Sequence, residues 1–155
     1  MNAICIVGSS NSGKTTLIEK VVPILKGRGL KVLAVKHAKY FELDRRGKDS
    51  WRLFESGADV VITSKEKTAY ICRFSDNLDE ILDVFGNLYD IVLIEGFRSS
   101  KYPKIVLLEK EDDLIGLKNV IAVVSNTNID FEPKFNKEDY HSIAKFILDF
   151  ISSSL

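Results

Sequence analysis

The stretch Gly8–Thr15 constrains this chain most, because it fits the phosphate-loop pattern G-x-x-x-x-G-K-[ST] without a mismatch. It directly follows the apolar run Ile4–Val7, which predicts a buried strand. Five of its eight residues are Gly or Ser, and such small residues let backbone N–H groups turn inward around an anion. The helix predicted after the loop aims its positive N-terminal end at the same place. The sequence therefore predicts that the chain binds a nucleoside triphosphate.

Two side chains of this loop have specific predicted roles. Lys14 can reach the β and γ phosphates, and the Thr15 hydroxyl can bind Mg²⁺. The predicted phosphate-binding residues are Gly8, Ser9, Asn11, Ser12, Gly13, Lys14, Thr15 and Thr16.

Strand and helix patterns alternate along the chain, which predicts a three-layer α/β domain with a mostly parallel sheet, typical of P-loop NTPases. By its length of 155 residues, the chain is expected to form a single nucleotide-binding domain, residues 1–155. The predicted core strands are Ile4–Val7, Val32–Val35, Ile91–Ile94, Ile105–Leu108 and Val120–Val124. Val60–Thr63 and Thr68–Phe74 flank a charged turn, which predicts an antiparallel hairpin whose edge can pair with a second subunit.

Four helices are predicted from apolar stripes and from polar residues that can cap their first turns. The first runs from Lys14 to Lys26. We expect Asp49 or Ser50 to cap the second, Asp76 the third and Asn136 the last.

The charge balance argues against a nucleic-acid binder that works through bulk electrostatics, although it leaves room for a local basic patch. Basic and acidic residues both number 22, whereas a nucleic-acid binder working through bulk electrostatics normally has a basic excess. A net charge near zero instead fits a protein that associates with itself or a partner.

The chain begins with a core strand, which leaves no room for a signal peptide, and no apolar run is long enough to span a membrane. We therefore expect a cytoplasmic protein.

The strand Ile91–Ile94 is followed by Glu95, and four apolar residues followed by an acid form a Walker B arrangement. In a parallel sheet this acid emerges at the carboxyl edge, facing the phosphate loop. There it can orient Mg²⁺ or an attacking water. Asp90 starts the same strand at the opposite end, so a structural role is expected for it.

Further candidates follow the second strand. Lys36 and His37 end that strand at the carboxyl edge, where ligands collect, although His37 can equally be a hydrogen-bonding strand-end residue. In the polar loop beyond them, Asp44 is a better candidate for the Mg²⁺ than Glu42, because basic residues 45–48 follow it. Those basic residues either bind phosphate or form a solvated turn. Further cations that can face the crevice are Arg52, Arg98, Lys101 and Lys104.

The element that would recognise the base is weakly marked. Many GTPases have Asn-Lys-x-Asp after a late strand, but here residues 125–130 read SNTNID, without the lysine. Asn126 can still contact a base edge. These residues do not decide between guanine and adenine.

Together these pieces resemble the MobB family, the molybdopterin-guanine dinucleotide biosynthesis adapters. Beyond the phosphate loop, the matching strings are Val35-Lys36-His37, Gly47-Lys48-Asp49-Ser50, Ser56-Gly57-Ala58, Ile94-Glu95-Gly96-Phe97 and Pro103-Lys104-Ile105. They are spread over nearly the whole chain.

The resemblance implies a homodimeric GTP-binding protein with weak GTPase activity that assists the guanylyltransferase MobA, which attaches GMP to molybdopterin. It implies that Thr15 and Glu95 serve the Mg²⁺, and that Glu95 and Asp44 serve the metal or the attacking water. It also implies that a crevice is lined by residues that contact the cofactor, with molybdopterin as a further candidate ligand, or the partner. These residues are Lys36, His37, Lys48 and Asp49.

Two other functions stay open at this point. A P-loop small-molecule kinase using ATP would share the phosphate loop and the carboxyl-edge site. A nucleotide-gated interaction module would use GTP only to order the loop 36–48 for docking a partner.

Overall fold

A computed structural model describes residues 1–42 and 44–153 of the chain. Their contacts divide it into two compact units. The first joins Met1–His37 to the chain from Asn77 onward, and the second is Ala38–Asp76. In the described part of the chain, no helix has the length and apolar character that crossing a membrane requires. That residues 1–155 behave as a single domain stays a prediction.

The first unit is built on a parallel sheet of six strands. These strands are β1 (Ala3–Gly8), β2 (Val32–Lys36), β5 (Ile91–Glu95), β6 (Lys104–Leu107), β7 (Val120–Val124) and β8 (Lys134–Phe135). Their order across the sheet is β2-β5-β1-β6-β7-β8, and all five neighbouring pairs are parallel. The predicted strands are confirmed, whereas β8 was not predicted, because two residues are too few to produce a hydrophobic pattern.

Helices cover both faces of this sheet, which confirms the predicted three-layer α/β architecture. The helices of this unit are α1 (Lys14–Gly27), α3 (Leu78–Phe85) and α4 (Tyr140–Ser153). Side chains alternate along a strand, so Ile4 and Ile6 of β1 pack in the core shared with α1 and α4. Cys5 and Val7 point to the other face, where the core includes Leu82 of α3.

The second unit contains the helix α2 (Asp49–Glu55) and the strands β3 (Val60–Thr63) and β4 (Thr68–Ile71). The two strands form an antiparallel pair that runs from Val60 opposite Ile71 to Thr63 opposite Thr68. The predicted hairpin is therefore confirmed, although its second strand ends before the expected Phe74. That this hairpin pairs with a second subunit stays a prediction.

All three predicted helix caps are wrong by a few positions. Asn77, not Asp76, caps α3, because its side chain accepts a hydrogen bond from the Asp79 N–H. Asp49 lies inside α2, where an acid in the first turn complements the helix dipole. At α4, the carboxylate of Asp139 rather than the side chain of Asn136 accepts from the Ser142 N–H. In each case several polar residues cluster at the helix start, and the sequence does not show which one has capping geometry.

The first turn of α3 is tied to the segment between β5 and β6 through Asp79. Its carboxylate accepts hydrogen bonds from the Lys101 ammonium at 2.8 Å and from the Tyr102 hydroxyl at 2.5 Å. These hydrogen bonds hold the pKa of Asp79 below its ordinary value of 3.8, and the one from Lys101 has the largest effect. The unfolded chain therefore binds this proton more readily, so the stabilisation is complete above pH 3.8 and is lost as pH falls through the lowered pKa.

We predict that Asp79→Asn lowers the free energy of unfolding at neutral pH and flattens its decline in acid, because the amide carries no charge to be neutralised. Urea unfolding at steps from about pH 7 to about pH 2 measures both effects. Asp83→Asn, on the same helix, is the matched control. Parallel acid profiles for the parent and Asp79→Asn would contradict this role.

Candidate nucleotide-binding site

Two glycines give the phosphate loop its shape between β1 and α1. A Cβ atom on Gly8 would lie 2.5 Å from the carbonyl oxygen of Leu107 and 2.6 Å from the Ser12 hydroxyl, so only glycine fits there. Gly13, directly before α1, has a φ angle of +99°, which side chains of L-residues rarely allow. The glycines of the motif are therefore required by the backbone itself.

The loop borders a cavity of about 450 Å³, which we call the phosphate cavity. Its lining residues are Ser10, Asn11, Gly13, Lys14, Thr15, Thr16, Lys36 and Glu95. The Lys14 ammonium lies against the loop, donating to the carbonyl oxygens of Gly8 at 3.1 Å and Ser9 at 2.6 Å. The Ser12 hydroxyl oxygen is buried and has no hydrogen-bond partner, so it is a donor that a phosphate oxygen can satisfy. These features fit a bound polyphosphate.

Three side chains meet at the carboxyl edge of the sheet. The Thr15 hydroxyl donates to Oε2 of Glu95 at 2.8 Å, and the Lys36 ammonium donates to Oε1 at 2.8 Å. The same ammonium lies 3.4 Å from the Thr15 hydroxyl. Strand register explains the meeting, because Lys36 of β2 and Glu95 of β5 are direct neighbours in the parallel ladder.

Glu95 is held in its ionised form. Burial alone raises the pKa of its carboxyl, but the hydrogen bonds from Lys36 and Thr15, with the charges of Lys36 and Lys14, outweigh burial. The net result is a pKa below the ordinary value of 4.5. A carboxylate at neutral pH, beside a hydroxyl, offers the hard oxygen ligands that Mg²⁺ prefers.

The small number of protein oxygens at this edge, from Thr15 and Glu95, also fits Mg²⁺. Among the residues that the structure describes, no group of three or more His, Cys, Asp and Glu residues can hold a metal ion. Mg²⁺ in nucleotide sites usually takes one or two protein oxygens and completes its shell with phosphates and waters. Thr15 and Glu95 match that demand.

Asp44, Lys48 and Asp49 line a different cavity, of about 710 Å³, which belongs to the second unit. One carboxylate oxygen of Asp44 accepts from the Arg45 N–H at 2.8 Å, while the other is buried and unpartnered. In this unit the chain turns so that the Lys48 N–H donates to the carbonyl of Arg45. The cavity therefore offers both an unsatisfied carboxylate oxygen and cationic side chains.

His37 lies outside the phosphate cavity. Its ring packs at a tilt against Phe97, with 5.0 Å between the centroids, and lines a neighbouring pocket of about 480 Å³. The backbone N–H of His37 donates to the carbonyl of Glu95, and this bond fixes the chain at the end of β2. Because this bond is made by the backbone, the hydrogen-bonding role considered for the His37 side chain stays a prediction.

The other cations do not line the phosphate cavity. Lys104 starts β6 at the opposite edge of the sheet, fully buried, and its ammonium donates to the carbonyls of Ser100 and Tyr102. Burial lowers the pKa of this ammonium. Lys101 binds Asp79, and Arg98 donates to the carbonyl of Asp113. In the second unit, Arg52 lies 3.8 Å from Asp49.

Asn126, the candidate for a base contact, lies in a polar cluster that sequence reasoning missed. Its Oδ1 accepts from the Lys137 N–H at 2.8 Å, and its Nδ2 donates to Glu138 at 3.3 Å. Both partners follow the unpredicted strand β8. The sequence feature that pointed to this cluster was the polar run after Phe135, but such a run is also typical of a helix start.

A strand, a phosphate loop and a helix, with an acid at the end of the neighbouring parallel strand, define an α/β protein of the P-loop NTPase class. A sequence profile described as "Molybdopterin guanine dinucleotide synthesis protein B" (MobB) matches residues 3–126. The chain belongs to this family.

Similar proteins carry related names. The molybdopterin-guanine dinucleotide biosynthesis adapter protein of Haemophilus influenzae is 40% identical over 68% of the chain. A putative adapter of the same name from Methanocaldococcus jannaschii is 38% identical over 84% of the chain. The matches span 62% and 58% of those two relatives, less than two thirds of their length. A crystal structure of "molybdopterin-guanine biosynthesis protein B (mobB)" is 38% identical, with a TM-score of 0.85, covering 97% of this chain and 99% of that one.

We predict that Gly8→Ala lowers the free energy of unfolding by about 1–3 kcal/mol, because its Cβ must displace the backbone carbonyl of Leu107. Urea unfolding measures the change. The matched control is Gly27→Ala, whose Cβ meets nothing within 4 Å at the end of α1. That variant is expected to be more stable than the parent by about 0.4–1 kcal/mol. Equal stabilities for the two variants would refute the close-packing argument.

Proposed function

We propose that this chain binds GTP with Mg²⁺ in the phosphate cavity and acts as an adapter in the attachment of GMP to molybdopterin. The observation that carries the proposal is the convergence of Lys14, Thr15 and Glu95 at the end of a complete phosphate loop. The names of the relatives supply the pathway. The expected partner is a MobA-like molybdopterin guanylyltransferase, and the expected state is a cytoplasmic homodimer.

Each part of the phosphate loop has a task in this proposal. Backbone N–H groups of residues 8–13 and of the first turn of α1 surround the phosphate oxygens. Lys14 exchanges the loop carbonyls that it now contacts for the β and γ phosphates, which are charged and therefore stronger acceptors. Thr15 and Glu95 would hold the Mg²⁺, which, when bound, neutralises charge on the phosphates.

Slow hydrolysis fits the composition of the cavity. Fast GTPases add an arginine that stabilises charge or a glutamine that orients the attacking water. Among the described residues, those that line the phosphate cavity include neither an arginine nor a glutamine. Glu95 is left as the group that orients water, and the catalytic role expected of Asp44, which lines the cavity of the second unit, stays a prediction. This favours a role in delivery or coupling over rapid turnover.

The remaining predicted residues are proposed to serve the partner or a second ligand. Lys48 and Asp49 lie in a cavity to which Arg45 and Lys48 bring the cations that a phosphorylated ligand needs, and molybdopterin is the candidate there. Lys36, the last residue of β2, and His37, which follows it, are also proposed to contact the partner or a second ligand.

We predict that Lys14→Ala weakens GTP binding by about a hundredfold or more, because two charge-assisted contacts with phosphate are lost. Calorimetric titration with GTP and excess Mg²⁺ measures the affinity, and circular dichroism checks the fold. Lys20→Ala, an exposed lysine on the same helix, should bind as the parent does. The parent should also increase GMP transfer to molybdopterin by a MobA-like enzyme, and Lys14→Ala should not. An unchanged affinity in Lys14→Ala would reject the phosphate-loop proposal.

We predict that Glu95→Gln still binds GTP but hydrolyses it at least about tenfold more slowly, because the amide orients water and metal less well than a carboxylate. Phosphate release under single-turnover conditions measures the rate, with Glu19→Gln on α1 as the exposed control. Hydrolysis at the parent rate would remove Glu95 from the mechanism. Fast phosphoryl transfer from ATP to a small acceptor by the parent would instead identify a kinase.

A further inference from the structure

A polar cluster lies at the sheet edge that bears the phosphate loop, and the phosphate site does not use it. Gly8, Leu107, Val124 and Phe135 are aligned across neighbouring strands β1, β6, β7 and β8. The chain that follows the last three brings together Glu109, Asn126, Lys137 and Glu138.

The direction of a nucleotide along this edge follows from the proposed metal ligands. Thr15 donates to Glu95 of β5, so the residues that would hold the metal lie on the β5 side of the loop. The terminal phosphates that such a metal neutralises would lie on that side, and the nucleoside would extend in the opposite direction, over β6 and β7. Neighbouring strands are about 4.8 Å apart, which puts β7 about 10 Å from β1. A nucleoside covers a similar length.

We propose that Asn126 and Glu138 form the subsite for the base and select guanine; the proposal rests on GTP binding at the phosphate loop. The Asn126 amide nitrogen donates to a Glu138 carboxylate oxygen at 3.3 Å, so the second amide hydrogen and the remaining lone pairs of the carboxylate form a neighbouring donor and acceptor. Guanine presents the complementary pair, the O6 acceptor beside the N1–H and 2-amino donors. Adenine presents a donor and a lone pair in those places, so both contacts would be mismatched.

The cluster is fixed by its neighbours before any base arrives. The Lys137 N–H holds Oδ1 of Asn126 at 2.8 Å. The amide nitrogen donates one hydrogen to Glu138 and keeps its second hydrogen for the base. The Lys137 ammonium is anchored on Glu109 at 3.0 Å. Thr127, next to Asn126, donates to the carbonyl of Glu109 at 2.9 Å, which ties the β7 loop to β6. A site that is already ordered loses less entropy on binding.

The test is calorimetric binding of four Mg²⁺-nucleotides, GTP, ATP, ITP and XTP, to the parent and to Glu138→Gln. The parent should prefer GTP over ATP by at least about tenfold, and ITP, which lacks the 2-amino group, should bind more weakly than GTP. In Glu138→Gln, GTP should weaken by about 10- to 100-fold while ATP is unchanged. XTP should bind to Glu138→Gln more tightly than to the parent, since the new carboxamide can donate to the O2 atom of xanthine.

Glu132→Gln changes an exposed glutamate in the β7–β8 connection, which also contains Asn126; this variant is the matched control and should keep the parent's order of affinities. Equal affinity of the parent for GTP and ATP would overturn the subsite, and so would an unchanged GTP-to-ATP ratio in Glu138→Gln. Either result leaves the phosphate-loop proposal intact if Lys14→Ala still weakens GTP binding by about a hundredfold or more. A parent that binds no nucleotide would reject the subsite and the proposed function together.

Discussion

The parallel pairing of β1 with β5 and β6 is the constraint on which the site depends. Because all these strands run in one direction, their carboxyl ends meet at one edge, and the phosphate loop, Glu95 and Lys36 meet there with them. The pairing is held by apolar side chains on both faces of the sheet. A slip of one residue would exchange the two faces of a strand and move Glu95 away from Thr15. Burial in the core thus fixes polar geometry at the edge.

Much of the fold could be predicted because each central strand is a run of apolar residues followed by a change of composition. Ile91–Ile94 followed by Glu95 is one example, and the loop after Ile4–Val7 is another. The missed features depend on contacts between distant residues. The strand β8 exists because β7 offers it a partner, not because of its own two residues. Lys104 is buried because the connection before β6 turns two carbonyls towards its ammonium, which no local pattern reveals.

The site shows the same division. The predicted phosphate-binding loop and the acid at the end of β5 come from motifs whose spacing reflects one strand and one helix. The contact between Asn126 and Glu138 joins residues that are 12 positions apart and meet through β8, so it could not be read from either one. Asp44, Lys48 and Asp49 share a cavity, as expected for neighbours in sequence, and that cavity belongs to the second unit. The sequence around these three residues does not specify which ligand the cavity binds.

The position of Lys36 connects the fold to the proposed chemistry. Its ammonium contacts both oxygen groups that a Mg²⁺ ion would take, the Thr15 hydroxyl and the Glu95 carboxylate. A half-buried carboxylate needs a counter-charge to stay ionised, and here the strand register supplies one from within the protein. A metal entering with a nucleotide would compete with this lysine for the same oxygens. On the proposed function, binding would therefore exchange one counter-ion of Glu95 for another, and the released Lys36 ammonium would stay at the end of β2, where it lines the phosphate cavity.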